Sequence, residues 1–287
     1  MTKRTVTTMN HGQPDEHTLR AALALAVRAP SVRNGQPWRF RISARGVDLF
    51  LDPARVRPPT QSVRRAAVLS CGAALHHLRI ALAAAGWSAV VRRLPDPAEP
   101  DHLASVELVP HRPTRIELSL SDAIARRRTD HRNFGSPIPQ GYIGLANERA
   151  MTLGANVQQL TELPRVRVAE ALRDAATEPP AGTELDLAEL LVLSTPTDDE
   201  SAWLSAGEAL SAILLTATNV DLASCALIEP LEIPELRRRI RRGVLADRSY
   251  PQSVIRIGWA PVDSMPLPVT PRRALGDVLE RTEATAC

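Results

Sequence analysis

The stretch Ala29-Pro30-Ser31-Val32-Arg33-Asn34-Gly35-Gln36-Pro37-Trp38-Arg39-Phe40 holds the densest set of groups able to grip a polar heterocycle. Its prolines fix the backbone, Ser31, Asn34 and Gln36 offer donors and acceptors, and Gly35 allows close approach. A loop of the same composition also serves simply to end a helix, and residue types alone leave the two readings level. A second set is Arg126-Arg127-Arg128-Thr129-Asp130-His131-Arg132. Four guanidiniums and a hydroxyl near a helix end can clamp a phosphate bidentately; the plainer reading is a solvated charge run. Arg272 and Arg273, after Pro271, could clamp the same anion, but taken alone they read as surface residues.

Arg237, Arg238, Arg239, Arg241 and Arg242 precede Gly243. That is the expected end of a helix, with cations on the negative end of its dipole and glycine at the cap. This reading is preferred to nucleic-acid binding. Cys71, Cys225 and Cys287 have no metal-type spacing and read as reduced structural thiols. His76 and His77 read as packing and polar-network residues. The sequence contains no HExxH, GxSxG or Walker-type loop.

These groups are carried by a chain of 287 residues with 35 basic and 32 acidic side chains, 44% hydrophobic residues and 3% aromatic. The near-neutral balance excludes a disordered chain. No apolar run reaches the ~18–20 residues of a membrane span, and the N-terminus lacks a secretion signal, so a soluble cytoplasmic protein is expected. The basic charge is almost all arginine, since Lys3 is the only lysine. With so few aromatics, the core has to be built from Ala, Leu, Val and Ile.

Helical periodicity covers 17–28, with Pro30 as its stop. Strands are expected at Trp38–Ser43 and Val47–Asp52 as a hairpin, then at Ala89–Leu94, Ser105–Val109, Leu187–Ser194, Leu222–Ile228 and Ser253–Trp259. Two long apolar helices are expected at Val63–Gly86 and Asp199–Thr218. Shorter helices are expected at Leu118–Arg127, Pro139–Leu153, Arg165–Ala176 and Ile233–Arg242. Ser70-x-Gly72-x-Ala74-Leu75 in the first long helix matches Ser205-x-Gly207-x-Ala209-Leu210 in the second, an offset of 205 − 70 = 135 residues. A repeated helix-then-strand unit predicts two half-domains with their long helices packed together. The fold class is α+β, a mainly antiparallel sheet with helices around it.

The loop APSVRNGQPWRF resembles the APSxHNxQPWRF signature of the Acg subfamily of nitroreductase-like flavoproteins. RRRTDHRNF is similar to that subfamily's RRTxRRxF, and LSCGAALHHLRIALAAAGW to its SCGAAL helix. LLVLSTPTDDESAWLSAGEALSAILLTAT and TPRRAL also match, in family order, over about residues 18–280. The resemblance implies a nitroreductase-like fold, a single-chain pseudo-dimer of halves 15–116 and 117–280 after a flexible 1–14, with antiparallel sheets around long central helices. It implies one FMN between the halves, with Pro30, Ser31, Arg33 and Asn34 at the flavin ring. The phosphate would fall to Arg127, Arg128, Thr129, Arg132 and Arg272 or Arg273. A backbone N–H near the flavin N5 would come from the segment ending at Ile228 and Glu229, with Glu229 preferred.

The implied activity is ping-pong electron transfer from NAD(P)H to a small organic acceptor, for which no catalytic side chain and no metal are expected. Other readings are a flavin-binding or flavin-sequestering protein without turnover, and a degenerate member without flavin. Monomeric pseudo-dimer and homodimer both remain open. Two departures stand out. Arg33 replaces the subfamily's usual His, and the stretch between Arg173 and Leu190, where the flavin lid lies in other members, is much shorter.

Overall fold

The computed structural model describes residues 13–280 apart from 44, 136, 137, 139, 162, 163, 167, 169–171, 173–186, 263 and 264. Most of the expected flexible N-terminus, most of the expected helix 165–176 and the shortened lid lie outside the described residues.

Helix α1 (Glu16–Ala26) starts where the Asp15 carboxylate accepts the Thr18 N–H at 2.7 Å. It buries Leu19, Ala22, Leu23 and Ala26, one stripe at helical spacing. Strands β1 (Trp38–Ser43) and β2 (Gly46–Leu51) form the expected hairpin, with Ser43 opposite Gly46. Gly46 has φ 144°, and a Cβ there would stand 2.0 Å from the Val106 carbonyl oxygen, so the position requires glycine. Helix α2 (Gln61–Ala84) follows a Thr60 cap and is buried along most of its length. It is long and apolar enough to cross a membrane, but 89% of its most apolar window is buried inside the protein. Strands β3 (Trp87–Arg93) and β4 (His102–Pro110) complete the first unit.

Helix α3 (Arg115–Arg126) begins three residues before the expected start, because Thr114 and Glu117 form a capping box. The second unit then runs α4 (Gln140–Met151), β5 (Asn156–Gln159), β6 (Glu189–Thr195), α5 (Glu200–Asn219), β7 (Ala223–Leu227), α6 (Pro234–Gly243) and β8 (Tyr250–Gly258). The chain closes with a helical turn α7 (Leu275–Val278) and the short strand β9 (Leu279–Glu280). Gly243 is the last residue of α6, and Val244 takes the cap with right-handed geometry. The expected glycine cap is therefore not formed.

The first sheet has strand order β3-β4-β2-β1-β9, and the second, read from the same end, β7-β8-β6-β5. Apart from β9 the two orders are identical under the pairing β1/β5, β2/β6, β3/β7 and β4/β8, and every pairing in that common part is antiparallel. In each unit a long helix joins the second strand to the third, and a shorter helix before the first strand packs on it: α1 on α2, α4 on α5. Helix α3 lies across both long helices.

Helices α2 and α5 meet at Gly72 and Gly207. A Cβ on Gly72 would stand 2.1 Å from the Leu204 oxygen, and one on Gly207 would stand 1.9 Å from the Leu69 oxygen. Since 204 − 69 and 207 − 72 are both 135, the contact is reciprocal, with the geometry of a two-fold interface. The sequence repeat and the packing share one offset. Each core also borrows from the other unit: Trp203 and Leu204 of α5 pack into the first, Ala66 and Leu69 of α2 into the second. Strand β9 pairs in parallel with β1, Phe40 opposite Leu279, and so returns the end of the chain to the first sheet across the 116/117 division.

Candidate functional site

The loop after α1 folds around its own polar groups. Ser31 Oγ accepts the Gln36 N–H at 3.0 Å, Gln36 Nε2 donates to the Asn34 carbonyl at 3.2 Å, and the Val32 N–H reaches Ser70 Oγ of α2 at 3.3 Å. Left-handed geometry falls on Arg33 (φ 48°), Asn34 (φ 53°) and Gln36 (φ 48°), while Gly35 is right-handed at φ −65°. A Cβ on Gly35 would stand 3.1 Å from the Val32 carbonyl oxygen, in keeping with the close approach expected there. Non-glycine residues in this region are strained by roughly 1–3 kcal/mol each, and such strain clusters where a backbone is held for function.

Arg33 faces the other unit. Its N–H donates to Glu229 Oε1 at 3.0 Å, and its guanidinium lies 3.0 Å from Glu232 Oε2. Glu229 opens the turn Glu229–Glu232 directly after β7, and Ile228 is buried beside it. The loop expected to meet the ring and the segment expected to face N5 are therefore in direct contact across the seam. A ligand seated between them has to displace these bonds. The Arg33 and Glu229 side chains are about half exposed, whereas Glu232, which holds the guanidinium, is mostly buried, so the clasp is screened by solvent only on its Arg33 side.

Below this clasp lies a cluster of cations. Arg127 is buried (6% exposed), and the only hydrogen bond of its guanidinium among the described residues is a 3.4 Å contact to Thr129 Oγ1. Arg128 folds back on the carbonyls of Ala125, Arg126 and Arg127. Arg28 donates to the Ala125 carbonyl at 3.3 Å, and Arg272 to the Arg28 carbonyl at 3.2 Å and to Asn34 Oδ1 at 3.1 Å. None of these four guanidiniums has a carboxylate partner among the described residues, and the Nε of each is buried without an acceptor. Burial, with repulsion from Arg272, Arg128 and Arg28, lowers the Arg127 pKa to about 10. Burial, Arg28 and Arg128 push Arg272 in the same direction. Beneath them His77 is buried with its Nε2 unpaired; burial and the nearby Arg127, Arg272 and Arg28 bring its pKa down to about 3. Like charges held together with unmet donors are what a phosphate dianion would satisfy, so these residues fit the phosphate end of FMN.

The structure brings together Pro30, Ser31, Arg33, Asn34, Arg127, Arg128, Thr129, Ile228, Glu229 and Arg272 around this seam. Two expected phosphate ligands stand differently. Arg132 is committed to Asp130 at 2.7 Å and to the Met265 carbonyl at 3.0 Å. Arg273 braces the loop: its N–H donates to Gln36 Oε1 at 2.8 Å, and its guanidinium reaches the Gln36 carbonyl and Asp52. Two contributors were not foreseen. Arg28 sits two residues before Pro30, and that proximity was the available signal. His77 carried none, because only the packing of α2 places it under the arginines.

No family model matches the chain. It is 40% identical to "Putative NAD(P)H nitroreductase Rv3131" of Mycobacterium tuberculosis over 96% of this chain and 94% of that protein. It is also 33% identical to "Putative NAD(P)H nitroreductase acg" of the same species over 91% and 94%. The chain belongs to the Acg-type nitroreductase family. Among solved structures, the FMN-dependent nitroreductase NfnB from Mycobacterium smegmatis in complex with NADPH is 16% identical, covering 58% of this chain and 100% of that one, with TM-score 0.45. A nitroreductase with bound FMN from Bacteroides fragilis is 14% identical, covering 58% and 97%, with TM-score 0.41.

Proposed function

We propose that this family member binds one FMN in the seam between its two units and passes electrons from NAD(P)H to a small organic acceptor by a ping-pong mechanism. The observation that carries the reading is the set of four acid-free arginines, Arg28, Arg127, Arg128 and Arg272, beside the strained loop. FMN, when bound, supplies the hydride and electron chemistry. The chain's own residues supply position and charge. The arginine cradle holds the phosphate. Pro30, Ser31 and Asn34 present a fixed edge to the ring, and Arg33 adds a cation at the rim that favours an anionic reduced state. The backbone at Glu229 offers an N–H from the opposite unit, and no side chain has to act as general acid or base.

The imitation of a homodimer by one chain belongs to this reading, and the reciprocal α2–α5 contact supports it. A cytoplasmic setting fits Cys71 and Cys225, which are free thiols. A second reading, flavin held without turnover, is favoured by the Arg33–Glu232 clasp across the mouth of the seam. The test is the visible spectrum of protein incubated with FMN and desalted, followed by anaerobic addition of NADH or NADPH. A flavin spectrum that bleaches supports the oxidoreductase, and one that does not bleach supports sequestration. Protein that retains no FMN overturns both.

A further inference from the structure

The 135-residue offset relates the floor of the arginine cradle to a second place in the molecule. Beneath the cradle, Ser211 Oγ of α5 lies 3.3 Å from His77 Nδ1 of α2. The offset carries His77 onto Ala212 and His76 onto Ser211. Ala212 and His76 line a cavity of about 220 Å³, together with Arg79, Arg149, Thr152 and Thr216. Arg149 sits in the last turn of α4, which packs on α5, much as Arg28 follows the last turn of α1, which packs on α2.

The lining of this cavity is short of acceptors. The Arg149 guanidinium has no hydrogen-bond or ion-pair partner among the described residues, and its Nε and the Thr216 Oγ1 are buried without one. Arg79 and Arg93 share the single carboxylate of Glu208, which leaves that group one positive charge in excess. Helix α3 makes the two places unequal: its C-terminal end delivers Arg127 and Arg128 to the cradle, and its N-terminal end brings Glu117 to the cavity. Glu117 does not neutralise the guanidiniums, because its carboxylate is taken by His111 at 2.9 Å and by the Thr114 N–H at 2.7 Å. The volume is below the ~300 Å³ at which sites for drug-sized ligands begin.

We propose that this cavity is a second anion site, the two-fold counterpart of the cradle, and that it takes a small tetrahedral oxyanion of the phosphate class on Arg149, Thr216 and Arg79. It does not depend on the flavin reading. Protein saturated with FMN, so that the cradle is filled, is titrated with inorganic phosphate against chloride at constant ionic strength and followed by calorimetry. The expected result is one saturable site, weakened at least tenfold by Arg149→Gln and about threefold by the shape-conserving Thr216→Val, with FMN affinity unchanged in both. A phosphate response that does not saturate, or that is the same in Arg149→Gln, overturns the proposal. A second arm uses Arg127→Gln/Arg128→Gln without FMN. The phosphate site should persist there at its original affinity, and its loss would also overturn the proposal. Should the wild type take up no FMN, the flavin reading fails and this second arm decides the anion site alone.

Discussion

Two clusters of arginine in this molecule differ in what surrounds them. On α6, Arg237 grips Asp198 with two bonds of 2.7 Å, Arg238 and Arg239 pair with Glu235, and Arg241 stacks 4.1 Å from the Tyr250 ring centre and lies near Asp247. In the seam, Arg28, Arg127, Arg128 and Arg272 have one another for neighbours and no carboxylate partner among the described residues. In the first cluster Arg237, Arg238, Arg239 and Arg241 each have a carboxylate within reach. The second is a charge imbalance kept inside the protein. What separates a binding site from a solvated or structural run is thus the partner rather than the arginine, and a structural partner can come from far along the chain, as Asp198 does, 39 residues before Arg237.

The difference can be broken by mutation. The largest effect is expected for Arg127→Gln/Arg128→Gln. Bonds to a charged group are worth ~1.5–3 kcal/mol each, so FMN affinity should fall at least ~100-fold in a fluorescence titration. Stability without FMN should hold or rise, since two crowded cations are removed. Arg237→Ala should do the reverse, leaving FMN affinity alone and costing about 2–3 kcal/mol in denaturant unfolding, because Asp198 loses its main partner in a half-buried place.

A pH profile sharpens the same contrast. Burial opposes the Asp198 carboxylate, but bonds from Arg237 and Trp203 outweigh it and bring its pKa down to about 2. A depressed carboxylate stabilises the fold above its unfolded pKa of ~3.9 and loses that contribution as pH falls towards 2. After solvent screening this is about 1 kcal/mol, and Arg237→Ala should flatten that part of the acid limb. The smallest effect belongs to Arg238→Ala. Its pair with Glu235 is exposed, and a change above ~0.5 kcal/mol in unfolding free energy would count against the division drawn between the two clusters.

Much of the scaffold could be read from local patterns. The long helices α2 and α5 showed as apolar runs, the β1–β2 hairpin as alternation around Gly46, and the unit repeat as the matched Gly72 and Gly207. Elements held by distant partners were not legible. Strand β5 is a short polar stretch held by its pairing with β6 and by distant groups such as Asn147 and Val244, and β9 is two residues long and pairs along the edge that β1 offers. In the site, Pro30, Ser31, Asn34, Arg127 and Arg128 stood out by type and spacing. Arg132 and Arg273 had the right chemistry, but Asp130, Gln36 and Asp52 hold them. His77 enters only through the packing of α2, and Arg28 had no signal beyond its nearness to Pro30.

The place of β9 also sets an order of events during synthesis. Residues 271–280 lay Arg272 into the cradle, lock Arg273 onto Gln36 and finish the first sheet along β1. A ribosome that has already released the amino-terminal sheet still holds its missing edge strand, so that sheet emerges with β1 open and one cation short. The first sheet and the arginine cluster beside it are therefore completed only once residues 271–280 have been made, and removing those residues would leave both unfinished.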